Sequence, residues 1–87
     1  METQPPSIHL FRHDPTRNMA RFYSLEITPD LFGGVVLIRN WGRSGHRGQE
    51  RRHWFASVEP AERERDIWQR RKLRRGYESR DGPDGQG

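Results

Sequence analysis

From Ser7 to Ala56 apolar and polar residues trade places with the two-residue period of a half-buried strand, and at Ser57 a helical period replaces it. That change of period fixes the fold class. A sheet with one apolar face and an amphipathic helix can each bury that face by packing on the other. Ser7–His13 sets Ile8 and Leu10 against His9, Phe11 and His13, and Asp14-Pro15-Thr16-Arg17-Asn18 is a cluster of turn formers. Met19–Thr28 sets Tyr23, Leu25 and Ile27 against Phe22, Ser24 and Glu26. Pro29–Gly34 reads as a loop, Val35–Trp41 as a β-branched central strand, Ser44–Gly48 as a glycine-bearing turn and Gln49–Ala56 as a fourth strand.

The segment that follows carries helix punctuation. Ser57 is a candidate N-cap, Pro60 suits a first turn, and Glu59, Glu62, Glu64 and Asp66 crowd the start. Arg70, Arg71, Lys72, Arg74 and Arg75 crowd the end, where they complement the helix dipole, and Gly76 supplies a stop. Ala61, Trp68 and Lys72 share a stripe with Ile67 beside them, which predicts that Ala61, Ile67, Trp68 and Leu73 lie on the sheet. Phe55 is assigned to the core, which leaves Trp54 partly exposed. The expectation is an α+β domain over residues 7–78, with a small antiparallel sheet of about four strands and one C-terminal amphipathic helix on one face. Residues 1–6 and 79–87, rich in proline or glycine and poor in hydrophobes, are expected to be disordered tails.

With 87 residues, 30% of them hydrophobic, the chain can build one thin core. Its longest apolar run, Val35–Ile38, is far short of the roughly 20 residues that span a bilayer, and the N-terminus lacks the order of a signal peptide. A soluble, cytoplasmic monomer is expected. The lack of cysteine excludes disulfides, thiolate metal sites and thiol catalysis. His9 and His13 share a strand face but stand about 13 Å apart at roughly 3.3 Å per residue, too far for one metal ion. Gly33-Gly34 and Gly45-x-x-Gly48 lack the lysine and hydroxyl residue of a phosphate-binding loop, and Ser24, Ser44 and Ser57 fit turns or caps. No acid, base and nucleophile cluster together, so a protein without catalysis, metal or cofactor is expected.

Sixteen basic residues against 12 acidic give a net charge of +4, and Lys72 is the one base that is not arginine. Arginine's planar fork suits phosphate. The densest cluster is Arg39–Gly48, three arginines, Trp41 and three glycines at a strand end. Arg39, Arg43, Arg47, Arg51 and Arg52 fall within fourteen residues, offset by Glu50, and alternation puts Arg39 and Trp41 on one face. An indole in a cationic surround, on a backbone that admits close approach, matches nucleic-acid ends and single strands. The same residues also fit a plain β-hairpin whose glycines serve turns and whose tryptophan covers a core edge. Arg70–Arg75 forms a second basic block.

These residues resemble the WGR domain family, whose signature stands here as Trp41-Gly42-Arg43. Ala20-Arg21-Phe22-Tyr23 resembles the family's second strand, Leu31-Phe32-Gly33-Gly34 the stretch before the signature, and Gly45 and Gly48-Gln49 the hairpin after it. Ala61, Lys72 and Gly76-Tyr77 match the family's helix and its end, so the likeness spans roughly residues 8–77. It implies a small antiparallel sheet with a helix packed on one side. In eukaryotic poly(ADP-ribose) polymerases a similar domain binds DNA breaks. Carried over, Trp41 is the end-stacking group, presented outward, and Arg43 the phosphate or coupling group. Gly42, Arg39, Arg47, Arg21 and Arg51 complete the expected nucleic-acid surface. Arg21 stands where the family has lysine, and the chain resembles the short free-standing bacterial members. Two readings follow, a module for DNA in preference to RNA, or a protein-interaction adaptor that uses Arg43 and exposed aromatics such as Trp54.

Overall fold

The alternating segments form strands β1 (Ile8–Asp14), β2 (Met19–Pro29), β3 (Val35–Arg43) and β4 (Gln49–Phe55), as seen in a computed structural model that describes residues 7–79. Helix α1 (Val58–Arg74) follows, and a short strand β5 (Glu78–Ser79) closes the order β4-β3-β2-β1-β5, with every neighbouring pair antiparallel. Residues 1–6 and 80–87, most of the two expected tails, lie outside the described residues. Ser79, placed in a tail by its composition, instead pairs with Leu10. A two-residue strand has no periodicity to read; it forms because the chain leaving the helix crosses to the β1 edge.

Register decides what each face carries. Leu10, Tyr23 and Trp41 lie in one row across β1, β2 and β3, and Ile8, Leu25 and Arg39 lie in the next. Leu10, Tyr23, Leu25, Ile27 and Leu37 are buried beneath the helix together with Ala61, and Tyr77 closes the cluster. Phe55, Val35, Val58 and Trp68 pack around it, while Trp54 on the other face is exposed, as alternation predicted.

The helix begins with Ser57 in the N-cap position, although its hydroxyl makes no capping hydrogen bond. It ends as Gly76 foretells. Gly76 takes a φ of +97°, its N–H donates to the Leu73 carbonyl at 3.1 Å, and the Tyr77 N–H donates to the Lys72 carbonyl at 3.0 Å. This paired closure satisfies two carbonyls that would otherwise be orphaned. One expectation fails. Ile67 and Leu73 are exposed, and the line that meets the sheet runs Val58, Ala61, Trp68 and Lys72. The bulk of Trp68, which reaches both Tyr23 and Arg39, sets the rotation of the helix and turns Ile67 outward. No described helix is long and apolar enough to cross a membrane.

Candidate nucleic-acid interface

Arg39 projects from β3 onto the helix-covered face, where its guanidinium lies 4.0 Å from the ring centre of Trp68 and 5.4 Å from that of Trp41. Nη1 donates to the Tyr23 hydroxyl at 3.2 Å, and Nη2 lies 3.3 Å from His53 Nε2. Guanidinium nitrogens only donate, so a hydrogen bond between the two needs Nε2 as its acceptor. The Nε of Arg39 is buried without a partner among the described residues. Burial pushes the Tyr23 phenol above its ordinary pKa, opposed by the hydrogen bond and charge of Arg39. Arg71 lies 4.9 Å from the Trp68 ring, and the Trp68 indole N–H donates to Glu64 at 3.0 Å. Cation and indole therefore alternate through Trp41, Arg39, Trp68 and Arg71.

Trp41 is half-buried and stacks on Tyr23, with ring centres 6.0 Å apart and planes 27° apart. The expectation of an indole standing clear of the hairpin is corrected here. Pairing with Tyr23 on one side and Gln49 on the other points the ring to the helix side, where Tyr23 receives it.

The next row outward is basic. Arg12 pairs with Arg21 and Arg21 with Arg43, so three arginines lie side by side on the helix-covered face. Arg21 and Arg43 are exposed, and no ion pair forms at any of the three among the described residues. Like charges directly opposite on neighbouring strands repel. Lys72 joins this cluster from the helix, with Nζ 4.6 Å from the Tyr23 ring centre and 5.6 Å from that of Tyr77. Burial, and then the charges of Arg75, Arg39 and Arg21, hold its ammonium below the usual lysine pKa. Lys72 lies in the last turn of α1, where the negative end of the helix dipole offsets part of the repulsion it meets. Beside it, a cleft of about 390 Å³ is lined by Arg17, Asn18, Met19, Ala20, Arg21, Gly42 and Arg43.

The other expected residues are dispersed. Arg51 sits opposite Arg39 and is exposed on the same face, and Arg47 is exposed in the β3–β4 turn. Gly42 serves the hairpin backbone, since a Cβ there would lie 2.8 Å from the Gly48 Cα. Arg52 leaves the site altogether, on the opposite face, where it pairs with Glu50 at 2.7 Å. Trp54 also lies on that face, and at the far end of β3 from Arg43, so the two share no surface. Arg12 is absent from the expected set, and Lys72 belongs to the second basic block, whose side the sequence leaves open. Arg12 continues the Ile8–Leu10 alternation, but only the β1–β2 register sets it beside Arg21.

The family model for the WGR domain matches residues 7–84. "Uncharacterized protein y4dW" of Sinorhizobium fredii (strain NBRC 101917 / NGR234) is 45% identical over 80 residues, which cover 92% of this chain and 39% of that protein. The chain thus spans about two-fifths of that relative's length. No solved structure matches. The WGR domain is a small binding-type domain, associated with nucleic-acid binding in proteins related to poly(ADP-ribose) polymerases. The signature at Trp41-Gly42-Arg43, the sheet-and-helix fold and a family match that runs through all the described residues lead to one assignment: this chain belongs to the WGR domain family.

Proposed function

We propose that the chain is a non-enzymatic module that binds DNA by its phosphate backbone, at the end of the sheet where Arg12, Arg21, Arg43 and Lys72 converge. The carrying observation is the row of three arginines in direct register without an ion pair among the described residues. A polyanion relieves the repulsion within such a row, and bidentate guanidinium–phosphate contacts reward the planar geometry. Arg39, sandwiched and partly buried, holds Trp41 and Trp68 in place and adds positive potential behind the row. An end-stacking role for Trp41 needs the exposed margin of its ring, because one side already rests on Tyr23.

The test is fluorescence anisotropy with labelled blunt, nicked and closed-circular duplexes at two salt concentrations. Binding that weakens with salt and is impaired by Arg21→Gln and Arg43→Gln supports the reading. A preference for blunt or nicked DNA extends it to ends, and equal affinity for all three limits it to the backbone. Absence of binding to every duplex at low salt removes it. Trp41→Ala is a poor first variant because the same ring supports Tyr23.

A further inference from the structure

Leu31 and Phe32 are 94% and 92% exposed at the β2–β3 turn, far beyond any other large hydrophobic described. The turn that offers them is braced. The Asp30 N–H donates to the Gly34 carbonyl at 3.0 Å, the Gly33 N–H to the Asp30 carbonyl at 3.2 Å, and the Phe32 N–H to the Asp30 carboxylate at 3.2 Å. The Trp54 indole N–H donates to the Gly33 carbonyl at 3.0 Å, and a side chain at Gly34 would run into Trp54. Two apolar side chains on a turn so held are presented at little further entropic cost on docking.

The opposite end of β2 carries a complement. The arginine-lined cleft sits at Met19–Arg21, ten residues from Pro29, or about 33 Å along the strand at roughly 3.3 Å per residue. Met19, Ala20 and the Gly42 backbone supply its uncharged lining, and Arg17, Arg21 and Arg43 its cationic rim. Arg17 is partly neutralised by Asp14 at 3.6 Å, whereas Arg21 and Arg43 have no ion pair among the described residues. The turn offers an aromatic ring for a guanidinium to cover and, in Asp30, a carboxylate for an arginine to meet. No basic residue stands among Pro29–Gly34, so the tip lacks the cationic flank that an anionic membrane would attract.

We propose that the chain self-associates head to tail, the Leu31–Phe32 turn of one copy seated in the Arg17–Arg21–Arg43 cleft of the next. Donor and acceptor lie at opposite ends of one strand, so each copy can use both at once. Such a heterologous contact propagates unless the rotation between copies closes a ring.

Sedimentation velocity at low salt, from on the order of 1 µM to 1 mM, reads the association. The wild-type mass is expected to rise with concentration past the dimer. Leu31→Ser/Phe32→Ser, altered only at exposed positions, and Arg21→Glu/Arg43→Glu, also exposed, should each remain monomeric over that range, with circular dichroism confirming their fold. An equimolar mixture of the two variants retains one intact turn and one intact cleft. It should therefore form a dimer and stop there. A wild-type protein that stays monomeric throughout, a turn variant that assembles like the wild type, or a mixture that stays monomeric overturns the proposal. DNA binding by the turn variant is scored separately. Loss of DNA binding by the wild type with assembly intact removes the DNA reading alone, and DNA binding without assembly removes this one alone.

Discussion

Arg39 shows how one side chain joins the core to the basic surface. Its charge is held by a phenol, an imidazole and two indole faces, with no carboxylate partner among the described residues. Arg39→Ala opens a gap between the indoles and leaves the Tyr23 hydroxyl without its donor. A loss of about 2–4 kcal/mol is expected from the combined cavity and cation–π effects, read from urea midpoints. Lys72 behaves oppositely. Its pKa is lowered in the fold, so folding carries a cost while the ammonium is charged, and that cost declines as pH rises from the depressed value towards the ordinary 10.5. Lys72→Met is therefore expected to be no less stable than the wild type at pH 7, yet weaker in DNA binding. In alkaline unfolding curves the wild type should gain on this variant as Lys72 deprotonates. Tyr23, whose pKa is raised, contributes stability below its ordinary 10.0 and loses it as pH climbs through the raised value. Because both proteins carry Tyr23, comparing them isolates the lysine. A Lys72→Met protein clearly less stable at pH 7 would show that the ammonium's contacts with Tyr23 and Tyr77 outweigh its burial.

At the scale of elements, local pattern and long-range pairing divide the work. Tyr23, Leu25 and Ile27 announce their buried face by alternation, and the breaks at Asp14–Asn18, Pro29–Gly34 and Gly76 coincide with turns that need those residues. Helix rotation was not legible in the same way, because Ile67 and Trp68 are adjacent and both apolar. Only the cavity beside Tyr23 and Arg39 selects the indole. The hairpin after the signature is closed by glycines packed backbone to backbone. A Cβ at Gly48 would strike the Trp41 carbonyl oxygen and stand 2.7 Å from the Phe22 ring. Gly48→Ala is expected to cost about 1–3 kcal/mol and to lower the thermal midpoint, since backbone cannot yield as a flexible side chain can. Gly45→Ala, where no atom lies within 4 Å of the new Cβ but φ is +84°, should cost less, about 1 kcal/mol. Equal losses at the two sites would remove the close-approach explanation.

For the whole molecule the main fact is polarity along β2, with bare arginines at one end and bare hydrophobes at the other. Net charge explains attraction to a polyanion in general, but the position of the charge sets how many phosphates are met. Three or four convergent cations predict that the logarithm of DNA affinity falls with that of salt with a slope of about −3, and that Arg43→Gln lessens it by about 1. A slope unchanged by Arg21→Gln and Arg43→Gln together would place the contact elsewhere, for example on the outer arginines of α1. The amino-acid order by itself determined the strand alternation, the turn positions, the helix and its stop, and the family, because each is written in contacts between residues near in sequence. The tertiary structure alone decided that Trp41 leans on Tyr23 and that Arg12 and Lys72 join Arg21 and Arg43. Those outcomes depend on cross-strand register and on the rotation of one helix, which arise from packing between segments distant along the chain.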